Sequence, residues 1–285
     1  MKIGIDNYSY HRYFGEIYEG QQDPGYCWGL ADCLQHIRKE HPDIEAISLE
    51  TCFITGEERK ELPRLLKDIQ CEVVFAWGHP NGFMGVDMEE ALAEIHDYLK
   101  ISSSRGQDRM RIAASSLAYR TADRASQISA AVQAINRILP MAKEYRVQLA
   151  LENHGDFSLP EMLAILELVH SDYLGVTFDT GNALRLHEDC CRSIKAYGER
   201  VLLVHAKDVA LEASVPTGGL APVNCVPAGQ GLVDFGGLFD ALAAIRYEGM
   251  VLIEISRLHS SLGNREETGI LQEGIRYLKG IRREM

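Results

Sequence analysis

The sequence lacks a basic surplus: 29 Lys and Arg stand against 41 Asp and Glu, a net charge of −12 at pH 7 with His neutral. Nucleic-acid binding draws on positive charge that displaces counterions from phosphates, so that class is excluded as an expectation. No apolar run approaches the roughly 20 residues that span a bilayer, which argues against a membrane protein. The first six residues lack the apolar stretch of a signal peptide and already read as a strand. Cys-x-x-Cys spacing is missing, and the seven cysteines are odd in number and scattered. That pattern predicts a reducing, cytoplasmic setting without a disulfide framework. A Gly-rich phosphate turn is also missing after the first strand, where Asn7-Tyr8-Ser9-Tyr10-His11 follows Asp6. A doubly wound dinucleotide-binding sheet would normally carry one there.

What is present is ordinary globular material, 46% hydrophobic and 25% charged, arranged as alternating strands and helices. Strands are predicted over 3–6, 44–50, 72–77, 110–114, 147–151, 174–178, 201–204 and 250–253. Helices are predicted over 27–40, 57–69, 87–101, 121–145, 159–170, 189–197, 235–245 and 265–279. The stretch 147–151 is almost continuously apolar, as a strand buried on both faces should be. Ser158 before 159–170 reads as an N-cap, with Pro160 tolerated in the first turn. Eight such units, about 36 residues each, predict a single (β/α)8 TIM barrel over residues 1–285. The long irregular segment 211–234, rich in Pro and Gly, falls where a seventh βα loop would help close the barrel mouth.

Four predicted strands end in residues that bind cations. The fifth ends in Glu152, the sixth in Asp179, the seventh in His205 and the eighth in Glu254. Strand ends of a parallel barrel converge on one face around one axis. Three carboxylates and an imidazole meeting there repel one another unless a cation sits between them. Oxygen and nitrogen ligands without thiolate suit one divalent ion, Mn²⁺ first, with Mg²⁺, Co²⁺ or Zn²⁺ as alternatives.

The segments Leu151-Glu152-Asn153-His154-Gly155, Phe178-Asp179-Thr180-Gly181-Asn182, His205-Ala206-Lys207-Asp208 and Ile253-Glu254 resemble the xylose-isomerase-like TIM barrel superfamily. That superfamily holds sugar isomerases, ketose 3-epimerases, inosose-processing enzymes and, more distantly, endonuclease IV. The resemblance implies that Glu152, Asp179, His205 and Glu254 hold one divalent ion and that Glu152 and Glu254 also carry protons. Three departures count against a free-ketohexose epimerase: Asn182 where a His is usual, Ser158 where a Glu is usual, and Leu211 where an Arg is usual. The acidic charge and single ligand set count against an endonuclease.

Further candidates surround these four. His154 is placed as an acid/base group or, alternatively, as a loop histidine. Lys207, two residues after His205, returns to the same side of an extended backbone and is placed on a substrate hydroxyl or oxyanion, with Asp208 pointing elsewhere into a salt bridge. Glu50, His79 and Asn182 are assigned to sugar hydroxyls. Trp77, Tyr8 and Tyr10 are placed as an aromatic wall, and Trp28 in the core. Cys190 and Cys191 read as buried thiols in a helix. The stretch Ala228-Gly229-Gln230-Gly231 lacks the Lys and Ser/Thr of a P-loop, and Arg257 is the cation available for a substrate phosphate. A carboxylate that removes a proton beside a chelated carbonyl, and another that returns it, give an isomerase or epimerase acting through an enediolate. Expulsion of a β leaving group would instead give a lyase of the inosose dehydratase or 3-keto-glycoside type, and a sugar-binding barrel without catalysis is the weaker third reading. The partner expected is a small carbohydrate; the assembly alternatives are a homo-oligomer or a small partner subunit, the latter completing the pocket in the lyase reading.

Overall fold

The computed structural model describes residues 1–79, 82–115, 120, 123–213 and 220–284. Its eight barrel strands are β1 (Lys2–Asp6), β2 (Ala46–Glu50), β3 (Glu72–Trp77), β4 (Arg109–Ile112), β5 (Gln148–Glu152), β6 (Leu174–Asp179), β7 (Val201–Ala206) and β10 (Met250–Ile253). All pair in parallel, and β1 closes the ring by pairing with β10, with Lys2 opposite Met250 and Ile5 opposite Ile253. Main helices are α1 (Leu30–Glu40), α2 (Gly56–Leu65), α3 (Met88–Ser104), α4 (Arg124–Tyr145), α5 (Leu159–Val169), α7 (Cys190–Tyr197), α8 (Phe235–Ala244) and α9 (Glu267–Glu284). The predicted barrel is therefore the observed one, with boundaries shifted by a few residues. The predicted helix start at Thr121 lies outside the described residues.

Local chemistry sets the helix starts. Thr55 with Glu58, and Ser158 with Glu161, form reciprocal capping boxes at α2 and α5. Asp189 and Asp234 cap α7 and α8 by accepting from the amides of Arg192 and Gly237. Such caps satisfy backbone donors that a helix start otherwise leaves open.

Two apolar clusters follow from the period-two alternation of the strands. Ala46, Val74, Ala150, Leu203, Met250 and Leu252, on the inward parity inside the barrel, form a small cluster together with Leu202, which lies off that parity where the β6–β7 register shifts. Val73, Phe75 and Trp77 belong to the large cluster that packs strands against helices. The same parity aims Asp6, Glu50, Arg111, Glu152, Asp179, His205, Lys207 and Glu254 inward at the C-terminal mouth. Gly4 is required where β1 meets β2, because a Cβ there would fall 2.0 Å from the Ala46 carbonyl oxygen.

Three features were not anticipated. Asn7–Phe14 is a 3-10 segment, and α6 (Thr180–Arg185) is a short helix capped by Asp179. The segment 211–234, expected to be irregular, carries one arm of a two-stranded antiparallel pair, β8 (Val209–Leu211) with β9 (Val223–Cys225). Strands of three residues are too short to leave a periodic signature. Among the described residues no helix is long and apolar enough to cross a membrane.

A buried histidine couples this fold to pH. His41, at the end of α1, is 4% exposed, and the Tyr10 hydroxyl lies 2.7 Å from its Nε2. Burial, helped by the nearby charge of His36, pushes the imidazole down to about 4. The unfolded chain therefore binds this proton first, so the stabilisation is present above about pH 6.5 and lost as pH falls toward 4. His41→Gln should flatten the decline of the urea midpoint across that window. The removed slope should approach about 1.4 kcal/mol per pH unit; an unchanged slope would contradict this.

Candidate active site

Each of the four strand-end candidates is carried into the mouth by its own strand. Glu152 ends β5, Asp179 ends β6, His205 lies in β7 and Glu254 follows β10. All four are buried, and one ligand atom from each lies within 4.8 Å of the others. Local bonds orient them. Asn153 clasps β6 by donating to the Asp179 carbonyl at 2.9 Å and accepting from the Asp179 amide at 2.6 Å. Asp179 Oδ1 accepts from the Asn182 amide at 2.6 Å, which leaves Oδ2 aimed at the cluster.

His205 Nδ1 stands 2.8 Å from Glu254 Oε2, 3.5 Å from Glu152 Oε1 and 4.0 Å from Asp179 Oδ2. Neither ring nitrogen makes an aligned hydrogen bond, and Asp179 Oδ2 and Asp6 Oδ2 are also buried without a hydrogen bond. Buried polar groups normally find partners. A concentration of oxygen and nitrogen atoms without hydrogen bonds at one point fits a divalent cation held by Glu152, Asp179, His205 and Glu254.

Two buried cations counterbalance the acids. Arg111 on β4 donates through Nε to Glu152 Oε2 at 2.5 Å and through Nη1 to both Glu50 oxygens at 2.8 and 3.0 Å. Lys207 pairs with Glu254 and stands 3.3 Å from Asp179 Oδ2. Gly181 makes room for it, since a Cβ there would fall 2.6 Å from the lysine Cδ. The acidities are uneven as a result. Burial raises the Glu152 carboxyl, but Arg111 and His205 outweigh it and hold the group well below the usual range. Glu254 is likewise lowered, with Lys207 and His205 overcoming burial. Burial, reinforced by neighbouring carboxylates, raises Asp179 to about 6 despite Lys207. Glu50 is raised by burial more than Arg111 lowers it.

The remaining candidates divide. Asn182 reaches Glu152 Oε1 at 3.5 Å through its amide nitrogen, and Glu50 reaches the mouth as a partner of Arg111. His154 is half-buried, with Nδ1 3.2 Å from the Ser115 carbonyl oxygen. His79 is half-buried two residues beyond β3 and is not one of the four clustered groups. Trp77 is turned the other way: its indole donates to Glu94 of α3 at 3.0 Å and stacks on Phe83, so it packs strand against helix rather than forming a sugar wall. Tyr10, 1% exposed, likewise packs toward His41. Tyr8 stacks on His11 and Phe53, and its hydroxyl donates to Glu16 at 2.6 Å. Trp28 is half-buried and stacks on Tyr13. Cys190 is buried and Cys191 half-buried, both free thiols.

Asp208 forms no salt bridge among the described contacts. Its carboxylate accepts from the amides of Val209, Gly229, Gly231 and Val233 at 2.8–3.1 Å. The glycines that invited comparison with a phosphate loop thus spend their amides on this one carboxylate. Arg257 is exposed and lines a cavity of about 270 Å³ with Arg12, His259 and Arg265, none of them among the four clustered groups.

Asp6 and Arg111 were missed as site residues. Asp6 ends β1, so the strand-end test applied to the first strand would have found it. Arg111 stands between the apolar Met110 and Ile112 of β4 at an inward position, which period-two alternation would have flagged.

The Xylose isomerase-like TIM barrel family matches residues 47–281. A 3-oxo-isoapionate decarboxylase of Pectobacterium atrosepticum is 29% identical over 105 residues, 37% of this chain and 38% of that protein. An inosose dehydratase of Clostridium botulinum is 27% identical over 157 residues, 51% of each. The chain thus spans about half or less of the length of these curated relatives. In structure it is similar to the D-psicose 3-epimerase of Clostridium cellulolyticum H10 solved with D-tagatose, with TM-score 0.71, 16% identity and 99% of both chains covered.

Proposed function

We propose that this chain, which belongs to the xylose isomerase-like TIM barrel family, is a divalent-metal-dependent isomerase or epimerase of a sugar or keto-sugar. The observation that carries this reading is the buried cluster of Glu152, Asp179, His205 and Glu254, with ligand atoms within 4.8 Å and two of them, Asp179 Oδ2 and His205 Nδ1, without a hydrogen bond. A bound ion, Mn²⁺ first, would supply Lewis acidity toward a substrate carbonyl and its neighbouring hydroxyl.

The protein's own groups account for the proton traffic. Glu152 and Glu254 stand on strands separated by β7 and β6 around the ring. One takes the proton from the carbon beside the carbonyl, and the other returns a proton from the second side. Lys207 meets the oxygen on which negative charge grows, inside a mouth where low dielectric strengthens the contact. Asn182, Glu50 and His79 are assigned to substrate hydroxyls. His154 serves as an additional acid or base.

A specific observation favours a lyase as the second reading. Arg111 sits against Glu152 and Lys207 against Glu254, so each glutamate resists carrying the proton it would have to return. In an elimination the second proton goes to the leaving-group oxygen, for which His154 is available, so neither glutamate has to return one, and the two relatives above are named as a dehydratase and a decarboxylase.

Incubation with Mn²⁺ in D₂O against ketoses, inososes and 3-keto-glycosides separates the two by NMR. The isomerase reading expects deuterium at the carbon beside the carbonyl; the lyase reading expects release of water or an aglycone. His154→Ala should then slow turnover by about 10²–10⁴-fold with Mn²⁺ still bound. Wild-type turnover in that variant would remove His154 from the chemistry, and sugar binding without either product would leave a binding barrel.

A further inference from the structure

We propose that Asp6 is the positioning residue that fixes His205 with its proton on Nε2, so that Nδ1 presents a lone pair to the carboxylate cluster. The inference rests on the metal reading above and concerns a residue outside the ligand set. A neutral imidazole carries one ring proton. A ring nitrogen that binds a cation must be free of it, so the proton belongs on the other nitrogen, which then needs an acceptor.

The two ends of His205 are distinguished by their surroundings. Nδ1 faces Glu254, Glu152 and Asp179. Nε2 faces the opposite way, 3.6 Å from Asp6 Oδ2. Neither Nε2 nor Oδ2 has a hydrogen-bond partner, and both residues are fully buried. A gap of 3.6 Å between two otherwise unsatisfied buried atoms is a small side-chain adjustment away from a hydrogen bond.

Asp6 is itself held in orientation. Its Oδ1 accepts from the Tyr8 amide at 2.7 Å, capping the 3-10 segment Asn7–Phe14. The Ser48 hydroxyl also stands near this carboxylate, but with Oδ1 committed to the Tyr8 amide, Oδ2 is the oxygen that faces the imidazole. The cap makes Asp6→Asn an unusually informative variant. Its side-chain carbonyl keeps the bond from the Tyr8 amide, because the reverse orientation would set a donor against a donor. The NH₂ group must then face Nε2, offering a proton where the imidazole should donate one. This favours the opposite tautomer, with the proton on Nδ1 inside the cluster.

The test uses Mn²⁺ titration by calorimetry, and ¹⁵N-histidine NMR of the Mg²⁺-saturated protein with His205 assigned by His205→Gln. Wild type is expected to show Nε2 protonated and Nδ1 unprotonated at His205. Asp6→Asn is expected to unfold at the wild-type temperature, bind Mn²⁺ roughly 10–100-fold more weakly and lose that nitrogen pattern. A wild-type spectrum with the proton on Nδ1 overturns the proposal without any variant. So does Asp6→Asn that binds Mn²⁺ like wild type with an unchanged His205 pattern. Failure of wild type itself to bind either ion overturns the metal reading, and this inference with it.

Discussion

Asp179→Asn is expected to keep the fold and lose the metal. The carbonyl of the new amide can still accept from the Asn182 amide, which Asp179 Oδ1 now caps at 2.6 Å, so α6 should persist. The other position becomes an NH₂ group directed at a cluster built for a cation. One anionic ligand of three is removed, so the loss of Mn²⁺ affinity should exceed the roughly 10–100-fold typical when only a supporting partner of a ligand is changed. Turnover should fall by at least the about 10²–10⁴-fold associated with a single acid/base group. Glu254→Gln should behave similarly and also disturb the Lys207 pair. Calorimetry with Mn²⁺, beside circular dichroism to confirm folding, checks both. Wild-type affinity in folded Asp179→Asn would take the site out of the proposed mechanism.

Arg111→Met should produce the largest loss of stability. Its guanidinium is 5% exposed and compensates two glutamates, Glu50 and Glu152, that are 4% and 0% exposed. Removing one partner of a buried ion pair costs about 3–5 kcal/mol, because a charge is left without compensation. For a chain of this size that corresponds to a fall in Tm on the order of 10 °C. Arg111→Lys should recover only part of the loss, since a single ammonium cannot reproduce the fork that reaches both carboxylates. Adding Glu50→Gln to Arg111→Met should restore some stability by removing one uncompensated acid. A Tm for Arg111→Met within about 2 °C of wild type, equivalent to roughly 1 kcal/mol or less, would mean that the triad contributes little.

Asp208 and Asp6 show how loop order is tied to the mouth. Asp208 lies one residue after Lys207 and binds the amides of Gly229, Gly231 and Val233, with Gly231 close enough that a Cβ would fall 2.3 Å from Asp208 Oδ1. Asp6 starts the 3-10 segment on the other side. These bonds are internal to the protein and need no ligand to form.

The sequence by itself determined the barrel and picked out the four residues that the structure clusters at its mouth. Near-continuous apolar strands spaced by helix-length segments admit few architectures, and convergence of strand ends follows from parallel closure alone. Glu152, Asp179, His205 and Glu254 could therefore be read out from their places at those ends. Only the tertiary structure decided what those groups meet. Trp77 sits at a strand end like Glu50, yet one residue of parity turns it to α3 and Glu94 instead of the mouth. Arg111 reaches Glu152 from the neighbouring strand, 41 residues away in sequence, and Asp6 faces His205 from two strands away around the ring. Asp208 found four backbone amides where a cationic partner was expected. Periodicity is a property of the local backbone and survives in the sequence, whereas charge pairing depends on distances across the closed ring, which exist only once β1 has met β10.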